Sequence, residues 1–158
     1  MPTDPSSDLL QPSLGEQAAP RRSPYSTQAH FLSAFFGGPF AALAMSGINA
    51  ARLDRLRRDA WWIGLLALGC VAFEFWLRRG AGGGALVAWA VEHLGARGAE
   101  YLRRALALAL FAVGLMVHRR EQKLTDLMGL ARPSGWIVGI ALILGGWLFA
   151  ALLARALS

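Results

Sequence analysis

The stretch that most limits the fold is residues 30 to 52, HFLSAFFGGPFAALAMSGINAAR. From Phe31 to Ala51 it holds 21 residues without a charge. About 20 apolar residues are enough to cross a bilayer as a helix. Small residues recur at every fourth position: Ala34, Gly38, Ala42, Ser46 and Ala50. Such a ridge lets two helix backbones approach closely. Gly37, Gly38 and Pro39 interrupt it. Pro39 has no N–H and leaves the Phe35 carbonyl without a helical partner, so the sequence predicts a bend, with Gly37 and Pro39 as its hinge.

Three further apolar runs follow. Residues 60–77 carry Trp61 and Trp62 at one end and Trp76 at the other, the aromatic pattern of two membrane interfaces. Residues 101–118 have a shorter uncharged core, 105–117, and need Arg103 and Arg104 to reach outward along their aliphatic stems. Residues 135–155 are the cleanest span, with Ser134 as a cap and no charge from 135 to 154. Their small residues, Gly135, Gly139, Gly146 and Ala150, fall mostly on one face and predict a seam for the ridge of span one. The predicted fold is therefore all-α: a polytopic membrane protein with four transmembrane helices, 30–52, 60–77, 101–118 and 135–155. Residues 85–94 are too few to span and read as a short interfacial or re-entrant helix between spans two and three, set off by the Gly-rich 80–84. Residues 121–130, with Leu124, Leu127 and Met128 at helical spacing, read as a short amphipathic continuation on the membrane surface, stopped by Gly129 and then Pro133.

Residues 1–28 hold five of the seven prolines and no apolar periodicity, so they are expected to form a disordered tail before the membrane domain of 29–158. No cleavable signal precedes the first span, which is expected to act as its own insertion signal.

The net charge of +6 sits at the ends of apolar runs rather than on one polar face. That pattern fits lipid headgroups and not nucleic acid. With four spans, eight basic residues fall on each side of the membrane. The denser loops, 52–59 and 118–134, point to a cytoplasmic side, with both termini outside. Fifteen of the sixteen basic residues are Arg, which together with abundant Ala and Gly fits a bacterial inner-membrane protein.

Little chemistry is visible. There is no zinc-protease, P-loop or nucleophile-elbow motif, and no paired cysteine. Cys70 reads as a small packed residue. His30, Glu74, Glu92 and His93 share a side in this topology but lack ligand spacing, so neither metal nor cofactor is expected. Glu74 is the single acidic residue within a span and a candidate ion site; its nearer reading is an i,i+4 pair with Arg78 at headgroup level. Asn49 is expected to bond across to another helix.

Phe35-Phe36-Gly37-Gly38-Pro39, followed by small residues and a basic turn, resembles an uncharacterised family of small bacterial multi-pass proteins with a Gly-Gly-Pro first span. Ser134 and Trp136, leading into the last span, stand where that family has a Ser–Trp pair. The Gly-rich, Arg-containing region 78–104 departs from the pattern. The resemblance implies a membrane fold and no particular activity. A structural or interaction bundle, self-associating or serving a membrane partner, is the leading expectation. A small transporter or channel, using Glu74 and a Gly37-Gly38-Pro39 hinge, is the alternative.

Overall fold

The computed structural model describes residues 22–129 and 131–156, leaving aside the side chain of Ala81. Most of the expected N-terminal tail, residues 1–21, lies outside the described residues. Six helices are found among them and no strand: α1 (Thr27–Arg52), α2 (Leu56–Arg79), α3 (Ala81–Leu94), α4 (Gly98–Val117), α5 (Arg119–Leu127) and α6 (Trp136–Ala156). By length and apolarity α1, α2 and α6 could each cross a membrane, and α4 with α5, bent by 58°, could do so as a pair.

Length misleads for α1. Its 26 residues would reach about 39 Å if straight. Instead its ends touch. Arg52 Nε donates to the Ser23 carbonyl at 2.8 Å, and the Tyr25 N–H donates to Asn49 Oδ1 at 2.9 Å. The Arg52 guanidinium also lies 4.4 Å from the centre of the Tyr25 ring. The helix therefore reverses, and α1 is a hairpin of two limbs, 27–37 and 39–52. Gly38 makes the turn at φ 76°, ψ −167°, a region that glycine alone occupies at low cost. Pro39 then opens the second limb, where its fixed φ suits a first helical position and its missing N–H costs nothing. At the start of the first limb Ser26 caps, accepting from the Ala29 N–H at 3.2 Å. Where the sequence predicts a bend hinged at Gly37 and Pro39, the chain reverses completely at Gly38, so that the two ends of α1 lie side by side.

The hairpin is the centre of the bundle, packed against α2, α4 and α6. Its first limb runs parallel to α6. Tyr25 lies on Gly135, Ser33 and the Ala29 carbonyl on Gly139, and Gly37 on Ile143 and Gly146. The tip thus meets α6 near Gly146, about 15 Å from the start of that helix and halfway along it. Trp147 Nε1 donates to the Phe36 carbonyl at 2.6 Å, satisfying one of the acceptors that the break leaves free.

α2 and α4 lie antiparallel. Asp59 pairs with His118, and Glu74, fifteen residues on, pairs with Arg103, fifteen residues back. α3 leans on both, where glycines allow close approach: Gly83 against the Trp76 carbonyl, and Gly98 against the Ala90 backbone. The described chain begins beside the N-terminal end of α6 and finishes at that helix's other end. The two ends of the described chain therefore lie at opposite ends of α6.

Candidate functional site

Three polar groupings and one cleft are built around the hairpin. At its open end, here called the mouth, His118 Nε2 and Asp59 Oδ2 are 3.0 Å apart, with both side chains only 3% exposed. Asp59 sits in the first turn of α2, where the helix dipole favours a carboxylate. His118 ends α4 at the bend into α5. Arg55 reaches Glu121 on α5 in an ion pair, and Thr125 Oγ1 donates to the Glu121 carbonyl at 2.9 Å. These contacts lock α5 across the mouth. The chain before α1 is strapped there as well. Ser23 Oγ donates to the Ala131 carbonyl at 2.7 Å, and the Ser26 N–H to the Pro133 carbonyl at 3.1 Å.

Between the limbs, His30 Nε2 lies 3.2 Å from the Ala42 carbonyl and 3.2 Å from Ser46 Oγ. Both side chains are buried. A serine beside a histidine invites a nucleophile–base reading. The Ala42 carbonyl speaks against it. A carbonyl only accepts, so Nε2 carries the proton and holds no lone pair with which to take one from Ser46. His30 instead stitches the two limbs together, with Phe111 of α4 edge-on at 5.0 Å.

At the far end, Glu74 is buried and accepts from Arg103 Nε at 2.6 Å and Nη2 at 3.2 Å. Arg78 Nε is 3.5 Å away. The predicted neighbour Arg78 is present, but the shorter, two-pronged partner comes from α4. Arg103 turns across to Glu74 on α2 while its guanidinium stays partly exposed. Between the two polar levels lies an apolar cluster of Ala34, Ala42, Leu43, Cys70 and Leu110.

The cleft, of about 260 Å³, lies beside the hairpin tip between the second limb and α6. Phe40, Ala41, Ala44, Leu142, Gly145, Gly146 and Phe149 line it. It offers no titratable group.

The small residues singled out in the sequence divide between faces. Ala34, Ala42, Ser46 and Ala50 are all buried, but Gly38 turns the chain between them, so they form no single ridge. Ala34 and Ala42 enter the apolar cluster, and Ser46 faces His30 and Gly114. The face that meets α6 is another four-residue series: Ala29, Ser33, Gly37 and Ala41. Gly139 touches the first two and Gly146 the last two, whereas Ala150 is exposed. Gly135 takes φ 66° against the Tyr25 ring. Asn49 bonds within the hairpin rather than to another helix. His30 is held between the limbs of the hairpin and Glu74 at the far end, so these two of the four residues that share a side in the sequence reading are not brought together. Among the described residues no three His, Cys, Asp or Glu side chains are grouped to hold a metal. His118, Asp59 and Arg103 were missed as site residues. Asp59 and His118 each flank an uncharged run, 60–73 and 105–117, a signal that could have paired them; Arg103 carries no such mark, because Arg104 bounds its run.

Compared with known proteins, no family model matches the chain, no curated protein matches it, and no solved structure matches its fold.

Proposed function

We propose that the chain is a membrane bundle of three crossings, α2, α4 and α6, wrapped around a re-entrant hairpin, and that it serves as a structural or interaction subunit. α3 would lie at the interface of the far side. The observation that carries this reading is the apolar cluster of Ala34, Ala42, Leu43, Cys70 and Leu110, beside which the polar side chains His30 and Ser46 are buried and spent on each other and on the Ala42 carbonyl. A transport path needs polar groups near the middle of the bilayer. Glu74, the candidate ion site, is already paired with two guanidinium groups. Conversely, α6 has only 11% of its most apolar stretch buried within the bundle. Ile137, Ile140, Leu144, Leu148 and Leu152 are all more than half exposed, and this is the face offered to a second copy or another membrane protein.

The hairpin also alters the charge balance. With both limbs returning to one side, that side gathers Arg21, Arg22, Arg52, Arg55, Arg57, Arg58, Arg119, Arg120, Lys123 and Arg132, ten basic residues. The other side keeps Arg78, Arg79, Arg97, Arg103, Arg104 and Arg155, six. The positive-inside rule then makes the mouth cytoplasmic, with the N-terminal end inside and the end of α6 outside. A bacterial inner membrane fits the composition.

Cysteines placed singly at 137, 140, 144 and 148, with Cys70 replaced by Ala, test the association in native membranes. Oxidative dimers, or crosslinks to one partner, at positions on this face and not at buried Gly139 support the reading. No crosslink at any of them, together with ion flux in proteoliposomes, would replace it with transport.

A further inference from the structure

The two flanks of the bundle have different apolar heights. On α6 the uncharged run 135–154 rises about 30 Å. On α2 and α4 the uncharged runs are 60–73 and 105–117, about 20 Å each. The short flank is closed at both ends by side-chain contacts that join the same two helices, the 3.0 Å Asp59–His118 contact and the Glu74–Arg103 ion pair. Neither helix can slide to lengthen it. The Arg104 guanidinium lies 5.2 Å from the ring of Phe35, three residues before the hairpin turn. On this flank, positive charge therefore reaches the depth of the hairpin tip, which is the depth of the middle of α6.

The charge there is in excess. Arg78 and Arg103 share Glu74, and Arg104 is paired with Glu100, giving three guanidinium groups for two carboxylates. Each of the three is about a third exposed, at 33%, 33% and 34%. Trp76 and Tyr101, each within three residues of one of these arginines, and Trp89 on α3 are about half exposed, and such side chains settle at a headgroup boundary.

We propose that this end of α2 and α4 binds the phosphate of a phospholipid and draws that leaflet toward the hairpin tip, thinning the bilayer along the flank. The inference rests on α2 and α4 both crossing. Guanidinium pairs phosphate with two parallel hydrogen bonds, and a lipid alone brings phosphate to this depth beside apolar helix faces. Thinning is the usual response to an apolar span that is too short.

The test uses the full chain in nanodiscs, with the variant Arg78→Gln/Arg104→Gln, which leaves the Glu74–Arg103 pair intact. The wild type should melt at a higher temperature in bilayers with hydrocarbon cores of about 20–25 Å than of about 30 Å. It should bind phosphatidylglycerol over phosphatidylcholine by roughly tenfold or more, and the variant, equally helical by circular dichroism, should lose most of that preference. A higher melting temperature in the thicker bilayer, or an undiminished preference in the variant, would overturn the proposal. So would equal stabilisation by inorganic phosphate in detergent, which would make the site one for a free anion. A reporter inserted at Gly82 separates the causes. Found on the mouth side, it overturns the crossing and this inference together; found on the far side with no lipid preference, it overturns this inference alone.

Discussion

Adjacent glycines of α6 should respond in opposite ways to the same substitution. A Cβ on Gly146 would run into the carbonyl oxygen of Gly37 and come within 3.2 Å of Ala41 Cβ. The oxygen belongs to the backbone of the turn and cannot swing aside, so α6 must retreat from the tip. Overpacking of this kind costs about 1–3 kcal/mol. Retreat also stretches the 2.6 Å bond from Trp147 to the Phe36 carbonyl, and an acceptor left unpaired in apolar surroundings costs about 1–3 kcal/mol more. Against this stands the gain from replacing glycine inside a helix, at most about 1 kcal/mol. Gly146→Ala should therefore destabilise by about 1–6 kcal/mol, toward the lower end where the Trp147 bond survives the retreat. Gly145, one residue earlier, has nothing within 4 Å of its notional Cβ. Gly145→Ala keeps the helical gain without the clash and should be neutral or stabilising by up to about 1 kcal/mol. Reversible unfolding in mixed detergent micelles measures both against the wild type. Equal effects, or a larger loss at Gly145, would refute the close contact between α6 and the hairpin tip.

Ala42→Leu, in the buried cluster, should lower the melting temperature clearly more than Ala44→Leu, which extends into the open cleft; similar losses would contradict the packing described. Glu74→Gln leaves Arg103 and Arg78 facing each other without their shared carboxylate and should cost about 1–3 kcal/mol, less than a fully buried pair because both arginines are partly exposed. Adding Arg103→Gln should restore part of that loss, and a double variant no better than the single one would show that the pair is not the cause. Asp59→Ala should loosen α4 from α2 and expose the amides of α5 to faster hydrogen exchange, with unchanged exchange arguing that the His118 contact holds nothing. A reporter active only in the cytoplasm should work in the 121–128 segment and at the N-terminal end and fail after Ser158; activity at all three sites would remove the crossing of α6.

The sequence carried the helical class and the apolar runs, because these depend on composition and on spacing along one helix. The hairpin was hidden in plain view. Gly37-Gly38-Pro39 is compatible with both a bent span and a reversal, and the choice depends on what the two limbs meet. His30 against Ala42 and Ser46, and Asn49 against Tyr25, are contacts between limbs that no periodicity reveals. Ala29, Ser33, Gly37 and Ala41 have the same four-residue spacing as the ridge that was noticed, so spacing alone could not say which series faces α6. The partner of Arg103, Glu74, lies 29 residues away in the chain, and only the antiparallel register of α2 and α4 joins them.

The reversal at Gly38 is the central claim, and one distance tests it. Spin labels at Gln28 and Ala51, both exposed, are attached with Cys70 replaced by Ala and the chain held in a bilayer. A straight helix would hold those positions about 35 Å apart. The hairpin places them at its mouth, next to the contacts of Tyr25 with Asn49 and of Ser23 with Arg52. Pulsed electron–electron resonance should give a narrow distribution below about 20 Å, fewer than fourteen residues of helical rise. A distribution centred near 35 Å would contradict the account and restore a first span that crosses.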